Sequence, residues 1–264
     1  MEITTVGTIL IVGKKLLGKT FDVVGEDFAK LYEKGRDKII EKSIKKIKDK
    51  NDGKSTNLRV TRDVFWNGSF TDEAICAEYF GGILASSRSE DGKDDAGVYY
   101  VDLIKSLSSK QLKLHYLIYL SFNKYFISDS SKSKINPGQE TDLDSEKMYF
   151  SYEEIREIVE DNDLAKDLHV LYSKRLIGNF EIDRYLLSNK LPIFYLSVSP
   201  KPVGVQLYAA AYNKLQGWRN FAIVDFGNFE EIKSPNFFNT DINQLLKDGK
   251  FIDEKEGENE ETKK

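Results

Sequence analysis

The sequence predicts an α+β fold, mostly α. Long amphipathic N-terminal helices and a helical middle lead into a winged-helix-like C-terminal part with a β-hairpin. Three observations carry this. Apolar residues recur at intervals of three, four and seven through residues 6–50, the spacing of one helical face. Two β-rich runs, Phe180–Leu187 and Ile193–Val198, flank Ser188-Asn189-Lys190, as in a hairpin. Helix, short helix, helix and then that hairpin is the order of a winged helix-turn-helix. A chain of 264 residues buries a core without crosslinks, and its one cysteine, Cys76, excludes an intramolecular disulfide or a cysteine-cluster metal site.

Each element has its own local reason. In residues 1–50, an amphipathic basic segment, Leu10, Leu17, Phe21, Val24, Phe28 and Leu31 form the apolar stripe, and Ile40, Ile44 and Ile47 extend it. From Lys30 to Lys50 nine Lys/Arg stand against four acids, a net of +5, with the lysines mostly off the stripe. Glu33, Asp37 and Glu41 interleave with them at helical pairing distance. Asn51–Ser55 is a turn. The region 58–127 is helical. Thr71 is the expected N-cap of a helix over 71–87, with Asp72 and Glu73 in its first turn. Val98–Leu107 and Gln111–Phe126 follow, Ser108 capping the second. Residues 128–147 are polar and read as a long mobile loop.

The region 148–250 is winged-helix-like with one extra strand. Ser151-Tyr-Glu-Glu154 is a capping-box sequence opening a helix through Val159. Asp163 caps a helix over Leu164–Leu176, and Gly178 is placed for its C-terminal stop. After the hairpin, Pro200 and Pro202 precede a helix over Val203–Tyr212. Phe221–Asp225 reads as the further strand and Ile242–Leu246 as a last helical turn. Residues 251–264 form an acidic tail, expected to be disordered.

Composition excludes several functions. A formal charge of −4 argues against a globally basic nucleic-acid binder. The apolar run Val6–Val12 is too short to span a bilayer, and its lysines follow it, unlike those of a secretory signal. The expected location is the cytoplasm, with peripheral membrane contact through the N-terminal stripe and the basic charge that follows it.

Gly13, Gly18, Lys19 and Thr20 match the spacing of a phosphate-binding loop, with Phe221–Asp225 as a strand supplying a metal-side acid. Against it, Lys14–Leu17 puts bulky side chains where such a loop curls, and no alternating βαβ pattern joins the two parts. Asp142, Asp144, Glu146 and Glu153 brush the calcium-loop pattern, but Lys147 stands where that loop needs glycine. His115 and His169 have no motif-spaced nucleophile and read as helix residues. Cys76 reads as a small core residue, and Trp66 and Trp218 as packing groups. No catalytic residue, cofactor or metal site is predicted.

Three stretches together resemble the bacterial Abi-alpha (abortive-infection alpha) family. They are Leu17–Ile47 with Gly25–Arg36 at its centre; Ser69–Glu73, Gly82–Ser86 and Tyr100–Ser108; and Val198–Leu207. Here Gly97–Tyr100 stands where the family has an aromatic or His-Pro segment, and Pro200-Lys-Pro-Val-Gly204 where it has Pro-Thr-Pro-Leu-Gly. The resemblance implies a role in phage defence and no catalytic residues. It also favours a helix over a phosphate loop at Gly13–Thr20.

The expectation is therefore a non-enzymatic protein of the abortive-infection type, acting through a protein partner or a membrane surface. The alternative is a DNA-binding winged-helix regulator using Lys166, Lys174 and Arg175, opposed by Asp167. Residues 101–213 hold 14 Lys/Arg and 15 acids, which gives such a reader no excess charge for phosphates. A P-loop nucleotide-binding protein is the third reading.

Overall fold

The computed structural model describes residues 20–70 (side chains from 30 onward), 73–187, 192–236 and 238–248. The chain divides into two units, Met1–Ser106 and Leu107–Lys264.

In the first unit, α1 (Thr20–Lys46), α2 (Leu58–Gly68), α3 (Ala74–Ser86) and α4 (Gly97–Lys105) are helices. Between them, β1 (Ser55–Thr56) and β2 (Arg88–Ser89) pair antiparallel. The expected helix over 6–50 is shorter at its end: it stops at Lys46, before the turn with Gly53 at φ +72°. Residues 6–19 of that reading, with the phosphate-loop glycines, lie outside the described residues. Helix α2 opens the region read as helical over 58–127, with bounds that the sequence reading does not draw. Its N-cap is Asn57, whose side chain accepts the Arg59 N–H at 2.8 Å, and it buries Val60, Val64 and Gly68. Helix α3 starts at Ala74 with Glu73, in extended backbone, as its N-cap; Thr71 and Asp72, expected in its cap and first turn, lie outside the described residues.

Glycine sets the closeness of this unit's packing. A Cβ on Gly81 would meet the Ile39 carbonyl oxygen at 2.9 Å, and one on Gly35 the Ser69 carbonyl oxygen at 2.1 Å. Where α1 meets α3, Lys42 and Lys46 both reach the buried Glu78 carboxylate, Lys42 Nζ at 2.9 Å from Oε1. Lys46 also donates to the Glu78 carbonyl oxygen at 3.2 Å. Burial lowers the Lys46 pKa although Glu78 opposes it. Two of the nine basic residues counted over 30–50 are thus part of the helix seam rather than a solvated face.

The second unit begins with α5 (Ser109–Ser128), α6 (Glu140–Asp144), β3 (Met148–Ser151), α7 (Tyr152–Val159) and α8 (Leu164–Ser173). It continues with β4 (Ile177–Leu186), β5 (Pro192–Pro200), α9 (Pro202–Ala211), β6 (Phe238–Asn239) and α10 (Ile242–Asp248). Helix α5 opens on a complete capping box between Ser108 and Gln111. The sheet runs β4-β5-β3-β6, antiparallel throughout. Helix α5, strand β3, helices α7 and α8, then a hairpin whose second strand pairs with β3, is the winged-helix arrangement. Its core includes Met148, Phe150, Leu196 and Val198 of the sheet and Leu164, Leu168 and Leu171 of α8, all buried.

Three local expectations are corrected here. Residues 128–147 are structured rather than a mobile loop. A 3-10 turn (Ser130–Lys134) precedes α6, Leu143 is fully buried, and Lys132 Nζ lies 2.8 Å from both Glu146 carboxylate oxygens. Phe221–Asp225 is not a strand, because Leu215–Ala222 forms a 3-10 helix and Asp225 closes a turn on the Gly227 N–H. The helix over 164–176 ends at Ser173, and Arg175 turns the chain at φ 57°. Gly178 therefore belongs to β4, where it lets the strand approach Ser199.

Candidate interaction surface

Helix α8 holds the position at which a winged helix presents its recognition face. Asp163 starts it by accepting the Lys166 N–H at 3.3 Å. Leu164, Leu168 and Leu171, four and three apart, point inward. The same spacing turns Lys166, His169, Tyr172 and Ser173 outward, and all four are exposed. Asp167, expected to oppose the basic residues at the surface, is buried instead: Gln111 Nε2 donates to its Oδ1 at 2.9 Å. Burial, reinforced by Asp161, raises the Asp167 pKa.

The outward face is aromatic. Tyr172 is 49% exposed. The His169 ring meets Phe180 of β4 edge-on, with centroids 5.0 Å apart, and Tyr172 meets the same ring at 6.1 Å. The sheet face that carries Phe180 continues along the hairpin through Ile182, Arg184, Leu186 and Phe194, the last three exposed. Sequence reasoning missed His169 and Tyr172 as surface residues and Phe180 as their half-buried partner, although the leucine spacing in Leu164–Leu171 already points 169 and 172 away from the core.

The basic residues assigned to nucleic acid have different fates. Lys166 is exposed and makes no ion pair among the described residues. Lys174 is half-buried, and its backbone closes the helix by donating to the Val170 carbonyl at 3.1 Å. Arg175 Nη2 lies 2.5 Å from Glu140 Oε1 on α6. Lys201 Nζ lies 2.8 Å from Asp144 and 3.8 Å from Glu140. The foot of α8 is thus electrically balanced by acids from the segment read as a loop.

Of the membrane stripe, Leu10 and Leu17 lie outside the described residues, and for Phe21, Val24 and Phe28 only the helical backbone of α1 is described. Leu31 is half-buried on α1. Among the described residues no helix is long and apolar enough to cross a membrane.

The calcium-pattern acids serve other partners. Asp142 accepts the Asn136 N–H at 3.0 Å, Asp144 pairs with Lys201 and Glu146 with Lys132. Among the described residues no three His, Cys, Asp or Glu side chains converge as a metal-binding group. His115 is fully buried on α5, where Nε2–H donates to the Gly204 carbonyl oxygen at 3.2 Å. Burial pushes its pKa down to about 3, so it is neutral and structural. His169 is on α8, and Cys76 is buried in α3. A cleft of about 270 Å³ beside the α7 end is lined by Lys113, Glu157, Glu160, Glu231 and Lys233 with Ile158 and Ile232. Lys113 there donates to the Ile158 carbonyl at 3.3 Å and faces Glu160 at 3.7 Å.

The chain matches no family model, no curated protein and no solved structure.

Proposed function

We propose that this chain is a non-enzymatic interaction protein of the bacterial abortive-infection type, acting in the cytoplasm by docking a protein partner on its winged-helix unit. One observation carries the docking half: an exposed aromatic face, His169 and Tyr172 on α8 against Phe180 of the hairpin, stands where a DNA reader would present cations. Aromatic residues in a charge-balanced setting are the chemistry of protein interfaces. The phage-defence half rests on the resemblance over Leu17–Ile47, Ser69–Ser108 and Val198–Leu207. Peripheral membrane contact through the N-terminal stripe is a further part of the reading.

The experiment is a phage challenge of cells making the full chain, at low and high multiplicity, with Tyr172→Glu beside it. Protection only at low multiplicity, lost in the variant while its circular dichroism is unchanged, supports the reading. No protection across a broad phage panel overturns the defence half, and protection indifferent to Tyr172→Glu overturns the docking half. Flotation with anionic vesicles tests the membrane part, which fails if the chain stays unbound.

DNA binding through Lys166, Lys174 and Arg175 is the second reading, favoured by the winged-helix arrangement and by exposed Lys166. Salt-dependent retention of duplex DNA, lost on changing Lys166 and Lys174, supports it; no binding at low salt ends it.

A further inference from the structure

The two edges of the second unit's sheet are finished differently. At one end β6 covers β3 through the pairs Tyr149–Asn239 and Phe150–Phe238. At the other end β4 is the last strand over its whole length, Ile177–Leu186. In an antiparallel pair, alternate residues turn their backbone groups toward the partner strand or away from it. Two observations fix which do which. The Arg184 N–H is taken by Asp183 Oδ1 at 2.7 Å rather than by β5, and the residue opposite Leu186 is Pro192, which has no N–H to give. Ile182, Arg184 and Leu186 therefore turn their N–H and C=O groups outward, and among the described residues no other backbone meets them.

The side chains along this edge are sorted by face. Glu181 and Asp183 share one face, both exposed, and Lys147 Nζ lies 3.7 Å from Glu181. Ile182 and Leu186 share the other face with Phe194, and the exposed Arg184 stands between them. An added strand would thus meet carboxylates on one side and, on the other, two aliphatic side chains flanking one guanidinium, at the two-residue period of a strand. Asp183, by capping the Arg184 N–H itself, also guards the edge against indiscriminate pairing.

We propose that the β4 edge receives an extended segment of a protein partner in which basic residues alternate with apolar ones, lengthening the sheet by one strand. The basic positions lie over Glu181 and Asp183, and the apolar positions beside Ile182 and Leu186. This rests on the partner-binding reading above and names a second surface for it.

The test uses the full chain and a synthetic peptide alternating Lys and Val over the length of β4, with a Glu–Val peptide as control. The readout is amide hydrogen exchange at Ile182, Arg184 and Leu186. The Lys–Val peptide is expected to slow exchange there by about tenfold or more, and the Glu–Val peptide to leave it unchanged. Arg184→Pro removes an outward N–H that the β5 ladder does not use, so it keeps the hairpin and abolishes the effect at Ile182 and Leu186. The double change Glu181→Lys with Asp183→Lys reverses the preference toward Glu–Val. Unslowed exchange with either peptide overturns the proposal, as does slowing that survives Arg184→Pro or a preference that survives the charge reversal. Tyr172→Glu leaves peptide protection intact, so a failed edge and a failed α8 surface are told apart.

Discussion

Glu140 Oε1 stands 2.5 Å from Arg175 Nη2, which places an anion at the foot of the helix where a winged-helix DNA reader would keep its cations exposed. Asp144 does the same to Lys201 at 2.8 Å. Glu140→Gln combined with Asp144→Asn releases both cations. The double variant is expected to retain duplex DNA more strongly at low salt than the parent chain, with a log–log salt slope steeper by about 2. Filter binding over a salt series measures this. Equal slopes would mean that these acids do not set the nucleic-acid affinity of the surface.

Asn123 is a buried clamp. Its amide donates to the Phe221 carbonyl at 2.7 Å and the Val224 carbonyl at 3.0 Å, and its oxygen accepts the Phe226 N–H at 3.0 Å. Asn123→Ala leaves those buried groups unmatched and is expected to cost about 3 kcal/mol. Urea unfolding reads the loss, and limited proteolysis should find new cleavage around 221–236. An unchanged urea midpoint would show that water replaces the amide without penalty.

His115 imposes a pH dependence. Its pKa is about 3 in the fold and 6.5 in a solvated chain. Between those values the unfolded chain binds a proton that the folded chain refuses. This contribution to stability is full above pH 6.5 and is lost as pH falls toward 3, about 5 kcal/mol in all. His115→Gln should flatten the dependence of the urea midpoint on pH across that window. A slope identical to the parent's would assign the acid sensitivity to other groups.

Gly204 has no room for a methyl group. A Cβ there would sit 2.1 Å from both the Leu176 carbonyl oxygen and the Tyr119 hydroxyl. That hydroxyl donates to Leu176 at 2.6 Å and accepts the Lys201 N–H at 2.9 Å. Gly204→Ala is expected to destabilise by about 2–3 kcal/mol through displacement of α9. Thermal melting checks it. Tyr119→Phe, which removes the hydroxyl without crowding, should cost about 1–2 kcal/mol.

Elements whose cause is local were legible in the sequence. Ser108, Ser151 and Asp163 each cap the next helix, because a side-chain oxygen reaches the amide three residues ahead. The hairpin was legible from its two β-rich runs. The short helix Leu58–Gly68 falls in the region read as helical, but its bounds were not drawn although Asn57 is a good cap, since its buried residues Val60, Val64 and Gly68 are few. The order of 128–147 could not be read locally, because it comes from partners such as Lys132 and Glu146, 14 residues apart. Phe221–Val224 is apolar enough for a strand, but Asn123, about a hundred residues earlier, holds it in another shape. The candidate surface was half legible: the helix was placed correctly, while the neutralising Glu140 lies 35 residues before its partner.

The clamp at Asn123 also bears on how the protein is made. During synthesis α5 leaves the ribosome about a hundred residues before Phe221–Phe226, which at roughly 5–20 residues per second is a wait of about 5–20 s. For that interval the aromatic side of α5, with Tyr116, Tyr119 and Phe126, lacks the rings that later meet it, Phe221 and Phe229. A chaperone that meets the nascent second unit in that interval would find α5 as the surface to hold.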